Sequence, residues 1–188
     1  GVGLPVDSDD NSARRGMSDL DPTLEVGPSI NFRLFDRAQT QFDVQLPLRI
    51  AVNFRNAEYE GAIIAPRAVL SHQQRGIKLS LSAAALSANR TYHDRLYSVN
   101  AAEVTSSRGF YSASGGYAGT RFGFSISKRT PNYLAAFYIN QTDFGDAVNR
   151  GSALLNARNA LSFGLMASWI FDRSADSVSI GGLDADDF

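Results

Sequence analysis

The feature that most constrains the fold of this chain is a strict alternation of apolar and other residues between Phe42 and Phe54. Every even position in this stretch is apolar, whereas the odd positions include Asp43, Gln45 and Arg49. A repeat of two residues is the period of a β-strand, whose side chains point alternately to the two faces of a sheet. At ~3.3 Å per residue the strand is roughly 40 Å long. Tilted by ~40°, it covers about 30 Å along a barrel axis, which favours an outer-membrane barrel over a soluble sandwich with strands of ~5–6 residues.

The same alternation recurs along the chain and predicts seven strands joined by polar links. The candidate strands span residues 23–35, 41–55, 62–72, 77–88, 110–129, 132–144 and 154–171. Helical periodicity is scarce between them, so the pattern predicts an antiparallel, up-and-down meander without crossover helices. The polar segment 89–109 is expected to be a loop with short strand ends. The chain therefore divides into an N-terminal segment 1–23, a barrel meander 24–171 and an acidic C-terminal extension 172–188.

The contents of the two strand faces indicate which face points outward. The non-apolar faces are rich in small, polar and charged residues, as in the interior of a membrane barrel whose apolar face contacts lipid. The predicted fold class is all-β, an antiparallel up-and-down transmembrane β-barrel. A soluble lipocalin-like barrel, with its apolar faces inward around a hydrophobic ligand, is the alternative. Single-chain bacterial barrels have even strand numbers, so seven strands predict further strands before Gly1 and two unpaired edges.

Two sets of side chains are candidate functional groups of such a barrel. Charged residues on the polar faces could set the selectivity of a lumen or form a structural ion-pair network: Asp43, Arg33, Arg49, Arg55, Arg67 and Arg121. Aromatic residues near strand ends are candidates for an interfacial girdle: Phe32, Phe35, Phe42, Phe54, Tyr97, Tyr111, Trp169 and Phe171. Pro28, Pro47 and Pro66 lie inside strand patterns, and since proline lacks an N–H donor, each predicts a bulge, an edge or a lost hydrogen bond.

The composition and motif content argue against several kinds of site. The chain has no cysteine, which excludes disulfides, thiolate zinc sites and thiol nucleophiles. A net charge of −1 provides no basic field for nucleic acid. His72 and His93 lack the spacing of metal ligands and are expected to be solvated or strand-end side chains. The sequence therefore predicts no enzyme, no cofactor and no metal site.

Five short motifs occur in order along residues 14–171. They are Gly16–Met17 with Asp19–Leu20, the segment Tyr97–Ala102, Tyr111 with Ala113 and Gly116, Phe144–Ala147 with Ser152, and the closing Trp169–Phe171. In order and spacing they resemble the MipA/OmpV family of outer-membrane proteins (MltA-interacting protein and relatives). Three departures stand out: Ala153 replaces a proline of the family pattern, the strands that the family would place before Gly1 are missing, and the chain extends past Phe171.

The resemblance implies a β-barrel surrounded by lipid of the Gram-negative outer membrane. It also implies a non-enzymatic scaffold or surface-interaction protein linked to murein (peptidoglycan) synthesis. Its implied partners are a peptidoglycan synthase and a lytic transglycosylase. Nucleic acid is not expected as a partner, given the net charge of −1. A narrow porin-like diffusion channel is the alternative function on the same fold.

Overall fold

The computed structural model describes residues 1–169 and shows one antiparallel sheet of ten strands. The strands are β1 (Val2–Gly3), β2 (Thr23–Val26), β3 (Ser29–Arg37), β4 (Thr40–Asn53), β5 (Tyr59–Ile64), β6 (Arg67–Gln74), β7 (Ile77–Ala88), β8 (Gly116–Arg129), β9 (Tyr133–Asp143) and β10 (Asn159–Trp169). A helix, α1 (Arg90–Tyr97), and a 3-10 turn (Ala101–Glu103) lie between β7 and β8. The predicted all-β antiparallel class is confirmed. Phe171 and the extension 172–188 lie outside the described residues.

Nine of the ten strands follow the seven predicted paths, because two paths are interrupted at proline; the tenth, β1, lies in the N-terminal segment, where no strand was predicted, and pairs with β2. Pro28 separates β2 from β3, Pro66 separates β5 from β6, and the two halves of each path pair with the same long strand, β4. Pro47 lies within β4. The carbonyls of the three prolines still accept backbone hydrogen bonds from the next strand, at 3.0 Å from Leu48, 3.3 Å from Ala65 and 3.0 Å from Ala85. The prolines therefore form one line across three neighbouring paths.

Paths that are consecutive in sequence are neighbours in the sheet, as an up-and-down meander requires. The order is β1-β2-β4-β5-β7-β8-β9-β10, with β3 beside β4 and β6 between β4 and β7. Within residues 1–169, β3 pairs only with β4 and β10 only with β9. Among these residues, β3 and β10 therefore each have one side without a paired strand.

The register separates apolar from polar residues in two rows that cross the sheet. One row of paired residues that crosses all seven paths is apolar throughout: Phe35, Phe42, Leu70, Leu81, Phe124, Ile139 and Phe163. A nearby row on the opposite face is polar or small apart from one tyrosine: Asp36, Gln41, Ser71, Ser80, Ser125, Tyr138 and Gly164. The predicted division into an apolar and a polar face is confirmed.

The polar face is the covered one. The buried side chains of the strands all lie on it: Thr23, Ala51, Asn53, Ser71, Ala88 and Thr142. On the apolar face, by contrast, Leu81 is 57% exposed and Phe163 is 71% exposed. A soluble protein buries its large apolar side chains. The distribution is therefore inverted, and it does not fit the lipocalin-like alternative, which needs the apolar faces inside.

The two ends of the sheet differ in the length of their connections. At one end, the short-turn end, residues 38–39, 75–76 and 130–132 join successive strands. At the other end the connections are longer, at residues 54–58, 89–115 and 144–158, and the N-terminal segment joins them. No helix within residues 1–169 is long and apolar enough to cross a membrane.

Candidate functional site

Three segments pack together at the long-loop end of the sheet, and we call them the cap: residues 4–22, 89–115 and 144–158. The Arg14 Nη1 donates a hydrogen bond to the Leu96 carbonyl at 3.1 Å, and the Arg108 Nη1 donates to the Ala13 carbonyl at 2.8 Å. The Ser152 Oγ donates to the Tyr97 carbonyl at 2.6 Å. These bonds join segments separated by 55 to 95 residues, so the cap is a tertiary structure and not a set of independent loops.

Helix α1 is the centre of the cap, where sequence reasoning predicted a loop. Asn89 caps its N-terminus, because the Asn89 Oδ1 accepts a hydrogen bond from the Tyr92 N–H at 3.1 Å. The same oxygen accepts from the Ala62 N–H of β5 at 3.0 Å, which connects the start of the helix to the sheet. A Cβ at Gly61 would lie 2.5 Å from the Tyr92 nitrogen, so the helix rests directly on β5. The signal that identifies this helix is an asparagine cap followed by Tyr92, His93, Leu96 and Tyr97 on one face.

His93 lies in this helix and is 1% exposed, so the prediction of a solvated or strand-end side chain was wrong. Its Nδ1 lies 2.7 Å from the Ser114 carbonyl oxygen, which only accepts, so Nδ1 carries a hydrogen and donates it. The ring packs near Tyr92 and Tyr97, with centroid distances of 6.4 and 5.6 Å. His72, by contrast, is exposed on β6 and contacts the Thr40 hydroxyl at 3.0 Å, as expected.

Asn149 connects the last cap segment to the second, and sequence reasoning missed it. Its Oδ1 accepts from the Ser114 N–H at 2.9 Å and from the Tyr111 hydroxyl at 3.3 Å, and its Nδ2 donates to the Ser114 carbonyl at 2.9 Å. The side chain is 1% exposed. A buried amide that makes three hydrogen bonds fixes the two loops relative to one another.

Most of the motifs that carry the family resemblance come together in the cap. Val99 and Tyr111 exchange two backbone hydrogen bonds, at 2.8 and 3.1 Å, and the Ala113 N–H donates to the Ser98 hydroxyl at 2.9 Å. The Asp19 carboxylate accepts from the Ser8 N–H at 2.8 Å, which lowers the pKa of Asp19. The resemblance is therefore carried by tertiary contacts at one end of the sheet.

A cavity of about 330 Å³ lies on the polar face directly beneath α1. Its charged lining consists of Arg49, Arg67, Arg121 and Glu25. Arg121 donates from Nε to the Thr142 hydroxyl at 3.2 Å, and Arg67 donates from Nε to the Gln45 side-chain oxygen. Arg49 donates from Nη1 to the backbone carbonyls of residues 27, 28 and 48 at 2.8–3.0 Å.

The only carboxylate among the lining residues, Glu25, is held by a tyrosine of the cap. The Tyr92 hydroxyl donates to the Glu25 Oε1 at 3.3 Å. Burial, and then the charge of Glu25, raise the pKa of Tyr92 to about 12. Burial also raises the pKa of Tyr97, whose ring lines the same cavity. Both phenols are therefore neutral near pH 7, and the positive charge of the arginines exceeds the negative charge in the lining.

The structure does not bring the six predicted lumen charges into one site. Arg49, Arg67 and Arg121 line the cavity, whereas Asp43 pairs with Arg33 at 3.4 Å nearer the short-turn end. Arg55 was wrongly assigned to a strand, because β4 ends at Asn53. Arg55 lies in the following loop, mostly exposed, and pairs with Asp21 at 3.1 Å.

Two of the predicted girdle residues are wrongly placed by the sequence pattern. Tyr97 belongs to α1 and Tyr111 to a cap loop, so neither lies on the apolar face of a strand. Phe35 and Phe42 stack at 5.9 Å, and Trp169 packs near Tyr133 at 6.2 Å, both pairs near the short-turn end. Phe32 and Phe54 are exposed, on β3 and just after β4; Phe171 lies outside the described residues.

The fold is an antiparallel β-meander with a cap at one end. Its apolar face is exposed and its polar face is covered, which is the inverse of the arrangement in a soluble protein. The sequence model of the family described as MltA-interacting protein MipA matches residues 1–171, and the chain belongs to that family. The resemblance seen in the motifs is thus confirmed. No curated protein and no solved structure matches the chain. The family is generally associated with the cell envelope and is of scaffold or adaptor type.

Proposed function

We propose that this chain forms part of a transmembrane β-barrel of the Gram-negative outer membrane, with its apolar face against lipid. The observation that carries the proposal is the apolar row from Phe35 to Phe163, of whose seven side chains five are exposed and none is buried, opposite a polar face that holds the buried strand side chains of the described chain. Soluble monomers rarely expose contiguous apolar patches larger than a few hundred Å². In a bilayer the same row contacts acyl chains, and the polar face lines the interior.

The unequal ends of the sheet support one orientation of this barrel. Outer-membrane barrels have short periplasmic turns and longer extracellular loops. By this rule the short-turn end faces the periplasm and the cap faces the outside of the cell. Strand β10 runs from the cap towards the short-turn end and reaches Trp169 there. In this orientation Trp169 is an aromatic residue at the periplasmic interface, a position that such residues favour.

The biochemical role that we propose is that of a non-enzymatic scaffold for the murein machinery. The family name supports a lytic transglycosylase as partner, and the family resemblance adds a peptidoglycan synthase. Murein enzymes of the periplasm meet the short-turn end in this orientation. Its turns and flanking residues carry five cations, Arg37, Arg75, Lys78, Lys128 and Arg129, with Asp36 as the one carboxylate in residues 36–40, 73–78 and 128–133. This excess of positive charge at the short-turn end is complementary to an acidic docking surface on the partner.

Single cysteine probes on β7 test the membrane proposal, since the chain has no native cysteine. We expect a spin label at Leu81→Cys, in the full-length protein in liposomes, to be relaxed by a lipid-soluble quencher. The adjacent label at Ser82→Cys, on the polar face, is expected to be insensitive to that quencher. A label at position 81 that is protected from lipid-soluble and aqueous quenchers alike would show that the apolar face is a protein core.

Charge reversal at the short-turn end tests the scaffold proposal. We expect the double variant Arg75→Glu with Lys128→Glu to weaken binding of the lytic transglycosylase by about tenfold, or ~1.4 kcal/mol, through lost complementarity. The matched control is Arg15→Glu with Arg158→Glu, which reverses two exposed cations at the cap end. Equal weakening by both double variants, or none by either, would refute docking at the short-turn end.

A narrow diffusion channel is the second candidate function, and the arginine-lined cavity is the observation that favours it. Lumen-facing charge sets the selectivity of an open barrel. Discrete conductance steps of the full-length protein in a planar bilayer would support the channel, whereas a silent bilayer would support the scaffold.

A further inference from the structure

We propose that the cavity beneath α1 is a binding site for a small organic anion, one that carries a carboxylate or phosphate group next to an apolar portion. The site is assigned from the cationic residues Arg49, Arg67 and Arg121 and from the apolar wall that faces them. It is independent of whether the protein acts as a scaffold or as a channel.

The three arginines of the cavity lack the counterions that other arginines of the chain have. Within residues 1–169, none of their guanidinium groups lies within 4.0 Å of a carboxylate. Elsewhere Arg55, Arg90 and Arg95 each pair with an Asp or Glu at 3.1–3.5 Å. The cavity arginines also lie near enough to one another for the charges of Arg49 and Arg121 to act on Arg67. Like charges gathered without partners are relieved by a bound anion.

The carboxylate that lines the cavity does not neutralise this charge. Glu25 contributes one negative charge against three positive ones. Its Oε1 already accepts the Tyr92 hydroxyl. Two positive charges therefore remain for a ligand.

The sheet register sets the arginines at a spacing that suits an anion between them. Arg67 on β6 and Arg121 on β8 are both paired with Ala84 of β7, from its two sides. Their Cα atoms are thus two strand spacings apart, roughly 10 Å. The small Ala84 side chain leaves room between them. The Nε atoms of Arg121 and Arg67 already donate hydrogen bonds to Thr142 and Gln45. The terminal nitrogens of both guanidinium groups are therefore left to bind carboxylate or phosphate oxygens.

The remaining wall of the cavity selects an apolar portion of the ligand. It is formed by side chains of β5, β7, α1 and the start of the last cap segment: Ile63, Leu86, Tyr92, Leu96, Tyr97 and Phe144. The volume of about 330 Å³ is at the lower end of the ~300–1,000 Å³ that small-molecule sites occupy. A ligand the size of an aryl phosphate or aryl carboxylate satisfies both the charged and the apolar part of the lining.

Calorimetric titration of the full-length protein in detergent with phenyl phosphate tests the site. We expect saturable binding of phenyl phosphate, weaker binding of inorganic phosphate, which lacks the apolar portion, and no saturable binding of phenol, which lacks the charge. The double variant Arg67→Gln with Arg121→Gln is expected to lose at least about tenfold in affinity for phenyl phosphate. Arg15→Gln with Arg158→Gln, at exposed positions outside the cavity, is expected to bind as the wild type does.

A third double variant separates loss of the binding site from loss of folding. Arg67→Lys with Arg121→Lys keeps both charges but removes the planar fork, and an intermediate affinity is expected. Each variant is compared with the wild type by the heat-dependent shift of its band on a gel. Absence of saturable binding by the wild type, or equal binding by the folded glutamine variant, would overturn the proposal. Neither result would bear on the quenching at position 81, so failure of the site and failure of the membrane proposal are distinguishable.

Discussion

Replacing Leu81 by arginine is expected to destabilise the membrane-inserted protein by about 2–4 kcal/mol, the cost of a cationic side chain on the lipid face near the bilayer midplane. Leu81 lies in the middle of β7, in the apolar row that crosses all seven paths, and it is exposed there. Its neighbours in the row, Leu70 and Phe124, offer no polar atom to the guanidinium.

The matched control places the same charge one residue further along the strand. Ser82 lies on the polar face beside an open space of about 390 Å³ that Arg67 also lines. Ser82→Arg is expected to cost less than about 1 kcal/mol, because lumen-facing charge remains hydrated. The measurement is the unfolding free energy of each variant in liposomes as a function of urea concentration. If Ser82→Arg cost as much as Leu81→Arg, the two faces would not differ in their surroundings and the membrane proposal would fail.

Asn149→Ala is expected to destabilise the cap by about 2–4 kcal/mol. The substitution removes three hydrogen bonds and leaves the Ser114 N–H and the Tyr111 hydroxyl without the acceptor that they share. Each net hydrogen bond contributes ~1 kcal/mol, and each buried group left unpaired costs ~1–3 kcal/mol. The Ser114 carbonyl keeps its bond from His93, which places the effect below the sum of these values.

Hydrogen exchange at the backbone amides of residues 111–114 measures this effect, since cap opening exposes them. Exchange there is expected to accelerate by a factor of at least about thirty, equivalent to ~2 kcal/mol, while exchange in the centre of β7 stays unchanged. The control is Asn156→Ala, an exposed asparagine of the same segment, which is expected to change the exchange free energy by less than ~0.5 kcal/mol. Unaltered exchange in the Asn149 variant would mean that the cap does not depend on this bridge.

The strands were predictable because their information is local. Alternation with a period of two sets both the element and its faces, so the paths around Phe42 and Phe163 could be found within short windows of sequence. The cap was not predictable in this way. Asn149 and Arg108 make contacts to residues that are 35 to 95 positions away, and an asparagine or arginine in a polar loop carries no local sign of burial. Helix α1 was missed because three of the four residues on its covered face are a histidine and two tyrosines, which weakens the apolar repeat.

The candidate site was predictable only in part for the same reason. The alternation of apolar and polar residues along each strand correctly assigned Arg49, Arg67 and Arg121 to the polar face. Their convergence depends on the register, which pairs Arg67 and Arg121 with the same residue of β7, and no single strand contains that information. The assignment of Arg55 failed because the alternation continues one residue pair beyond the point where β4 ends, at Asn53.

The line of Pro28, Pro47 and Pro66 also has a consequence for the tilt of the strands. Because two of three neighbouring paths are broken at the same level, the strand segments on the two sides of the line can adopt different tilts while β4 and β7 run through. On the cap side of the line, α1 packs against β5, whereas within residues 1–169 no helix lies on the other side of the line. The prolines thus allow the strand segments next to the helix to adjust their tilt without a matching change in the segments on the other side of the line.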